Sequence, residues 1–344
     1  MVGNRRREQD SAMDRERCDV LPRLEPGETA QACKGYRWYH NITLNAYWFG
    51  SSFMWNSLHP IILPMLLLSL TSERTKNTGY GLLTFVGLLV ALVVQPISGA
   101  LSDVTRHRLG RRRPWILLGT LLDLGCLAGL VVAQSYWAVA ISYVLLQLTS
   151  NLAHGAGQGL IPDLVPQGKR GVASGIKNLL DMLGVIFAGL VTGRLMGGVP
   201  PKPFLATGVI ASILVVGVAI TVVGSREVPT SGAAKDPRRA RVGLEELRAL
   251  LSVDFRGHRD YARLLLSRYC VYVGTYSVHS FALYYLQDAL QVASPAIVAG
   301  QLMMAIGLSI TLSTWPAGLL SERWGRKGLS LAACAITALG MGLL

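Results

Sequence analysis

Long stretches of the chain lack charged positions, and the length of those stretches is the first clue to the fold. Residues 38 to 72, 77 to 102, 203 to 225, 269 to 287 and 289 to 321 contain no Asp, Glu, Lys or Arg. A helix rises about 1.5 Å per residue and a bilayer core is about 30 Å thick, so roughly 20 apolar residues cross it. The block from Pro114 to Pro162 carries one charge, Asp123, and a polar break at Gln134 and Ser135 divides it into two spans. Residues 171 to 198 form another span around Lys177, Asp181 and Arg194, and residues 328 to 344 form a last one. The pattern predicts nine helical spans, the ninth incomplete.

Positive charges fall into alternate connections. The arm through Arg37 holds eight Lys and Arg, the loop after span 2 five, the loop after span 4 two, residues 226 to 268 ten and the loop after span 8 three; these are 28 of the chain's 33. Loops on the other side hold only Arg74, Lys76 and Lys202. Cytoplasmic loops of membrane proteins carry such an excess, so a multi-pass protein of the cell membrane with a cytoplasmic N-terminus is expected. The formal net charge of +13 then needs no nucleic acid to explain it. With 15% charged and 51% hydrophobic residues, the composition departs from a soluble domain, which is about 25% charged, and from a disordered chain. Five scattered cysteines do not make a disulfide scaffold. Six dispersed histidines, and no nucleophile with a base at suitable spacing, predict no metal site, no cofactor and no enzyme activity.

Composition shifts from membrane-like to charged between Ser225 and Arg263, the mark of a hinge between two bundles. Four regions are expected: an arm over 1–40, a six-helix bundle over 41–225, a cytoplasmic linker over 226–264 and a partial second bundle over 265–344. Within the linker, Leu244, Leu247, Leu250 and Leu251 recur at helical spacing and predict a short amphipathic helix.

A repeat supports this division. The turn after span 2 reads GALSDVTRHRLGRRRP (Gly99 to Pro114), and the turn after span 8 reads GLLSERWGRK (Gly318 to Lys327). Each follows the second span of its half. Gly99 and Gly318 permit close helix packing, and Asp103 or Glu322 can accept from helix-end amides or a basic partner. Gly110 and Gly325 permit a tight reversal, while Arg108, Arg111, Arg112 and Arg326 hold the turn at the cytoplasmic surface. An ordinary positive loop would explain one copy; two copies at equivalent places point to a repeated gating loop.

This GxLSD…GRR pattern resembles the signature loop of the major facilitator superfamily of transporters. Its longer form, SDVTRHRLGRRRPWI, and the segment GQGLIPDLVPQGKRGVASG (Gly157 to Gly175) are most similar to the sucrose and glycoside cation-symporter branch. The resemblance covers about residues 40 to 344. It implies an all-α polytopic membrane protein of twelve helices in two six-helix halves, which rock to give alternating access without covalent chemistry. The chain would then supply the six-helix N-terminal half plus the first three helices of the C-terminal half, and is expected to be cut short after helix 9.

Inside the spans, polar and aromatic residues line up. Asn45, Trp48, Ser52, Trp55 and His59 share one helical face of span 1; Gln147, Asn151, His154 and Gln158 share one of span 4; Tyr269, Tyr272, Tyr276 and His279 share one of span 7. Intramembrane polar groups are costly and face the bundle interior or a wet cavity. The resemblance implies that helices 1, 4 and 7 line a central cavity. The candidate solute-binding residues are therefore Trp55, Asn56, His59, Gln147, Asn151, His154, Gln158, Tyr276 and His279. Sugars suit such a lining, since their C–H faces stack on Trp or Tyr while their hydroxyls pair with Asn, Gln and His. Interfacial aromatic belts and helix-to-helix hydrogen bonds are the other reading, and it suits Trp48, Tyr269 and Tyr272 better.

Three charges are candidates for coupling. Asp123 is either a proton carrier or a buried structural acid, and Lys177 and Asp181, one turn apart, can neutralise each other. The helix-4 acid of sucrose–proton symporters is replaced here by Gln147. The function expected is secondary transport of a small solute, a sugar or glycoside coupled to protons; an exporter of drugs or other amphipathic solutes is the alternative. Expected partners are that solute, a coupling proton and the lipid bilayer.

Overall fold

A computed structural model describes residues 38–105, 107–225 and 259–342. Regular structure among them is entirely helical, with eight long rods, α1 (His40–Leu70), α2 (Lys76–Val104), α3 (Arg113–Val132), α4 (Tyr136–Gln158), α5 (Arg170–Gly197), α6 (Pro203–Gly224), α7 (Arg259–Asp288) and α8 (Pro295–Gly342), and short helical turns at Leu160–Leu164 and Gln167–Lys169. The N-terminal arm and the linker leucines Leu244, Leu247, Leu250 and Leu251 lie outside the described residues. By length and composition α1, α2, α3, α5, α6 and the Pro295–Thr314 part of α8 can cross a membrane. α4 and α7 fall short of that measure because their polar stripes lower their hydropathy.

Local chemistry sets where the rods start and bend. Pro114 and Pro203 sit in the first turns of α3 and α6, where no backbone N–H is needed. Ser135 caps α4 by accepting from the Ala138 amide at 3.2 Å. Pro60 cannot donate within α1, and the helix widens there into a π-turn over Leu58–Ile62. The widened turn offers the His59 carbonyl to the Tyr80 hydroxyl of α2, at 2.8 Å.

α1 lies between α5 and α6, α4 lies between α2 and α3, and α3 meets α6 to join the two triads. Lipid gives apolar faces no reason to prefer one another, so close backbone approach and interhelical hydrogen bonds must hold the rods together. Gly184 of α5 lies against the Phe49 carbonyl of α1, and Gly155 of α4 against the Gln95 carbonyl and Gly99 of α2; a methyl group at either position would force the rods apart. The Tyr47 amide donates to Thr221 Oγ1 at 2.8 Å, the Ser57 and Thr192 hydroxyls meet at 2.7 Å, and Ser98 Oγ donates to the Leu152 carbonyl. The outer face of α2, with Leu82, Phe85, Leu88, Leu92 and Val93, is exposed, as a lipid-facing surface requires.

The last two rods attach at one end of this bundle. α8 lies along α5, with Gly189 and Gly193 against Gly300. α7 reaches the bundle near its own C-terminus. There the Tyr284 hydroxyl donates to the Pro64 carbonyl at 3.2 Å, and the Phe281 and Tyr284 rings pack on Tyr80 at 5.3 and 5.8 Å. Lys76, 2% exposed, binds Asp288 at 2.7 Å and Glu73 at 2.6 Å. Toward the arginine-bearing end of α2, residues 263 to 278 of α7 stand exposed.

One expected turn is not formed. Gly318, Glu322, Gly325 and Arg326 lie inside α8, a continuous helix of 48 residues. Such a helix is about 72 Å long, more than twice a bilayer core. Two causes act together. Leu, Arg, Lys and Ala dominate residues 319 to 339 and favour helix over the two glycines. Residues 327 to 340 are mostly exposed, so among the described residues no packing rewards a chain reversal.

Candidate functional site

Part of the α1 stripe, Trp48 and His59, meets the α4 stripe in a polar ladder, while Asn45 and Ser52 turn to α5 and donate to the Ala173 and Asp181 carbonyls. His59 Nε2 lies 3.0 Å from the Tyr143 hydroxyl, which accepts from Gln147 Nε2 at 2.7 Å. Asn151 Nδ2 donates to the Gln147 backbone carbonyl at 2.7 Å and to its Oε1 at 3.1 Å. One turn toward the arginine end, His154 Nδ1 sits 3.2 Å from the Tyr47 hydroxyl, and its ring packs edge-on against Trp48 at 4.6 Å. Below it, Lys177 Nζ donates to Gln158 Oε1 at 3.2 Å and lies 3.7 Å from the Trp48 ring centroid. Trp55 packs on His59 at 5.0 Å, and Asn56 Nδ2 donates to the Ser52 carbonyl at 2.9 Å.

The ladder thus brings His59, Gln147 and Asn151 into one chain and His154, Gln158 and Lys177 into a second group. Tyr276 and His279 stand opposite on α7, with ring contacts to each other and to Tyr272 but no hydrogen bond to the ladder. His59 is within electrostatic reach of His279. Tyr143 and Tyr47 complete the ladder without having been singled out by the sequence reading. Tyr143 lies one turn before Gln147 on the same stripe, a signal that was available; Tyr47 lies off the α1 stripe, and only packing reveals it.

The charges inside the bundle have separate surroundings. Asp123, 2% exposed, accepts from Thr149 Oγ1 across the α3–α4 contact. Lys177 and Asp181 do not pair: no ion pair within 4.0 Å joins them. Trp48 and Gln158 draw the ammonium toward α1 and α4, so the two charges act on each other through space rather than in contact.

At the arginine end, Arg112 is the centre of a charge cluster and only 8% exposed. Its Nη2 donates to Asp103 Oδ1 at 2.6 Å, its Nη1 to Ser102 Oγ at 3.0 Å and its Nε to Asp163 Oδ2. Arg111 Nη2 donates to the same Asp163 oxygen at 2.6 Å. One guanidinium therefore ties the end of α2 and the start of α3 to the one-turn helix Leu160–Leu164 that follows α4. Gly110 makes the reversal at φ 105°, which L side chains rarely adopt. Arg108 is exposed. Asp163 and Gly159 were not among the expected gate residues. A Cβ on Gly159 would overlap the Arg112 guanidinium, so this glycine makes the cluster possible.

Residues 46–344, which include this helical bundle and the arginine turn between α2 and α3, match the Major Facilitator Superfamily. The chain belongs to that superfamily. Multidrug resistance protein MdtG of Enterobacter lignolyticus (strain SCF1) is 26% identical over 310 residues, covering 88% of this chain and 69% of the relative. MdtG of Salmonella paratyphi C (strain RKS4594) is 26% identical over 313 residues, covering 88% and 72%. Among solved structures, a bacterial homolog of the human lysosomal transporter Spinster, inward-facing and unoccupied, has a TM-score of 0.62 at 18% identity, which shows a shared fold. That likeness covers 86% of this chain and 64% of the other, so the chain spans less than two thirds of it. A multi-pass membrane protein of the superfamily places its polar ladder between lipid-facing rods, where polar groups serve solutes or hold helices together.

Proposed function

We propose that the protein is a secondary transporter that moves a small organic solute across a cell membrane by alternating access. The observation carrying this is the one-ended meeting of α7 with the bundle. Lys76–Asp288 and the Tyr80, Phe281 and Tyr284 rings join them at one end, while residues 263 to 278 of α7 leave the ladder approachable from the arginine end. The rocking bodies are residues 41–225 and 265–344, joined by 226–264, and the arginine end with the N-terminus is cytoplasmic. Arg112 with Asp103 and Asp163 forms the gate on that side, and coupling to a proton falls to Asp123, Lys177 or Asp181.

An amphipathic solute of the drug type fits best. Most neutral polar groups of the ladder already bond to one another, which leaves aromatic surface rather than free hydrogen-bonding groups, and the MdtG relatives are named for multidrug resistance. A sugar or glycoside is the second reading, favoured by the Trp55 ring next to Asn56 in the chain and by the exposed Tyr276 ring. Flux into proteoliposomes under an imposed proton gradient tests both, with radiolabelled lipophilic cations and disaccharides as solutes. Gradient-driven movement of the former is expected; movement of disaccharides alone would favour the second reading, and movement of neither would overturn the proposal.

A further inference from the structure

The charges of α5 point to a solute class. Lys177 and Asp181 are half-buried and one turn apart, within electrostatic reach of each other but not in contact. The Lys177 ammonium already has two partners, the Trp48 ring at 3.7 Å and Gln158 Oε1 at 3.2 Å. No cationic nitrogen among the described residues lies within 4.0 Å of the Asp181 carboxylate. Around Asp181 stand Ser52 of α1, whose hydroxyl donates to the Asp181 carbonyl at 2.8 Å, Lys177 within electrostatic reach but beyond 4.0 Å, and Tyr276 of α7, also within electrostatic reach and 62% exposed. Trp55 lies one turn beyond Ser52.

A carboxylate inside a membrane protein is costly without a counter-charge, and it gains most from a ligand that supplies one. Aromatic rings add attraction for the same charge. An anionic solute would find Lys177 occupied and Asp181 repelling it. We propose that the transported solute is an organic cation: its positive centre pairs with Asp181, its apolar groups lie on Trp55 and Tyr276, and Trp48 and Gln158 hold Lys177 off the site. This rests on the transport reading above and sharpens it. Asp181 is the binding residue; Gln158 and Trp48 are positioning residues.

The test is equilibrium binding to the purified protein in detergent. Tetraphenylphosphonium is the probe, and tetraphenylborate, of the same shape and opposite charge, is the competitor. Tetraphenylphosphonium should bind and tetraphenylborate should not displace it. Asp181→Asn should weaken binding about tenfold or more, the loss expected for a charge-assisted contact, whereas Asp181→Glu should retain most of it. Gln158→Leu frees Lys177 to reach Asp181 and should also weaken binding, and adding Lys177→Met to it should restore the affinity. That pair of variants leaves Asp181 in place, so it decides the matter even where Asp181→Asn fails to fold. Unchanged affinity in a folded Asp181→Asn variant, displacement by tetraphenylborate, or no restoration by Lys177→Met would overturn the inference. Disaccharide flux without phosphonium binding would sink it while leaving transport intact; neither flux nor binding of any probe would remove the transport reading too.

Discussion

Two segments of this chain carry nearly the same residues and fold differently. Gly99 to Pro114 leaves helix after Val104 and reverses at Gly110 before α3 begins at Arg113, whereas Gly318 to Lys327 runs straight through α8. The first has what the second lacks. Six residues, Val104 to Leu109, separate its acid from its glycine, and Pro114 marks the next helix. It also has an external partner, since Asp163 and Gly159, from the far end of α4, receive Arg112. A Gly-Arg-Arg/Lys motif is therefore a turn when another helix supplies a counter-charge and room for the guanidinium. The motif alone does not pay for the reversal.

The comparison can be broken at the cluster. Arg112→Ala leaves Asp103 without its guanidinium and Asp163 with Arg111 alone, and with Asp103 more than half exposed the loss should fall at the lower end for buried pairs, about 3 kcal/mol; a detergent-solubilised thermal melt would register it, and an unchanged midpoint would deny the cluster its role. Gly159→Ala should cost less, about 1–3 kcal/mol, by displacing Arg112, while Gly171→Ala, with open space around it, should leave the melt nearly unchanged. The smallest effect sharpens the contrast between the copies. Gly110→Ala should destabilise by about 1–2 kcal/mol because φ is positive, and Gly325→Ala should stabilise by roughly 0.5–1 kcal/mol because it lies mid-helix. Equal signs in the two copies would mean that both are turns, or both helix.

Much of the bundle was legible beforehand. Charge-free stretches located the rods, the polar break at Gln134 and Ser135 separated α3 from α4, and the 3–4 spacing on spans 1 and 4 put His59 on one helical face and Gln147, Asn151 and His154 on another. The site was less so. Spacing along α5 put Lys177 beside Asp181, but a lysine has a long reach, and Trp48 and Gln158 on other helices offered better company. Likewise Asp163 is an unremarkable acid in the sequence until folding brings it 2.6 Å from Arg111.

By itself the amino-acid order determined that this is a many-helix membrane protein with its positive charge concentrated in alternate connections, because hydropathy and loop charge are properties of local segments and need no partner. Only the tertiary structure decided which of two look-alike motifs bends, which charges meet in contact and which stay apart. Those outcomes depend on whether a distant helix presents the right group within a few ångströms, and no local pattern encodes that distance.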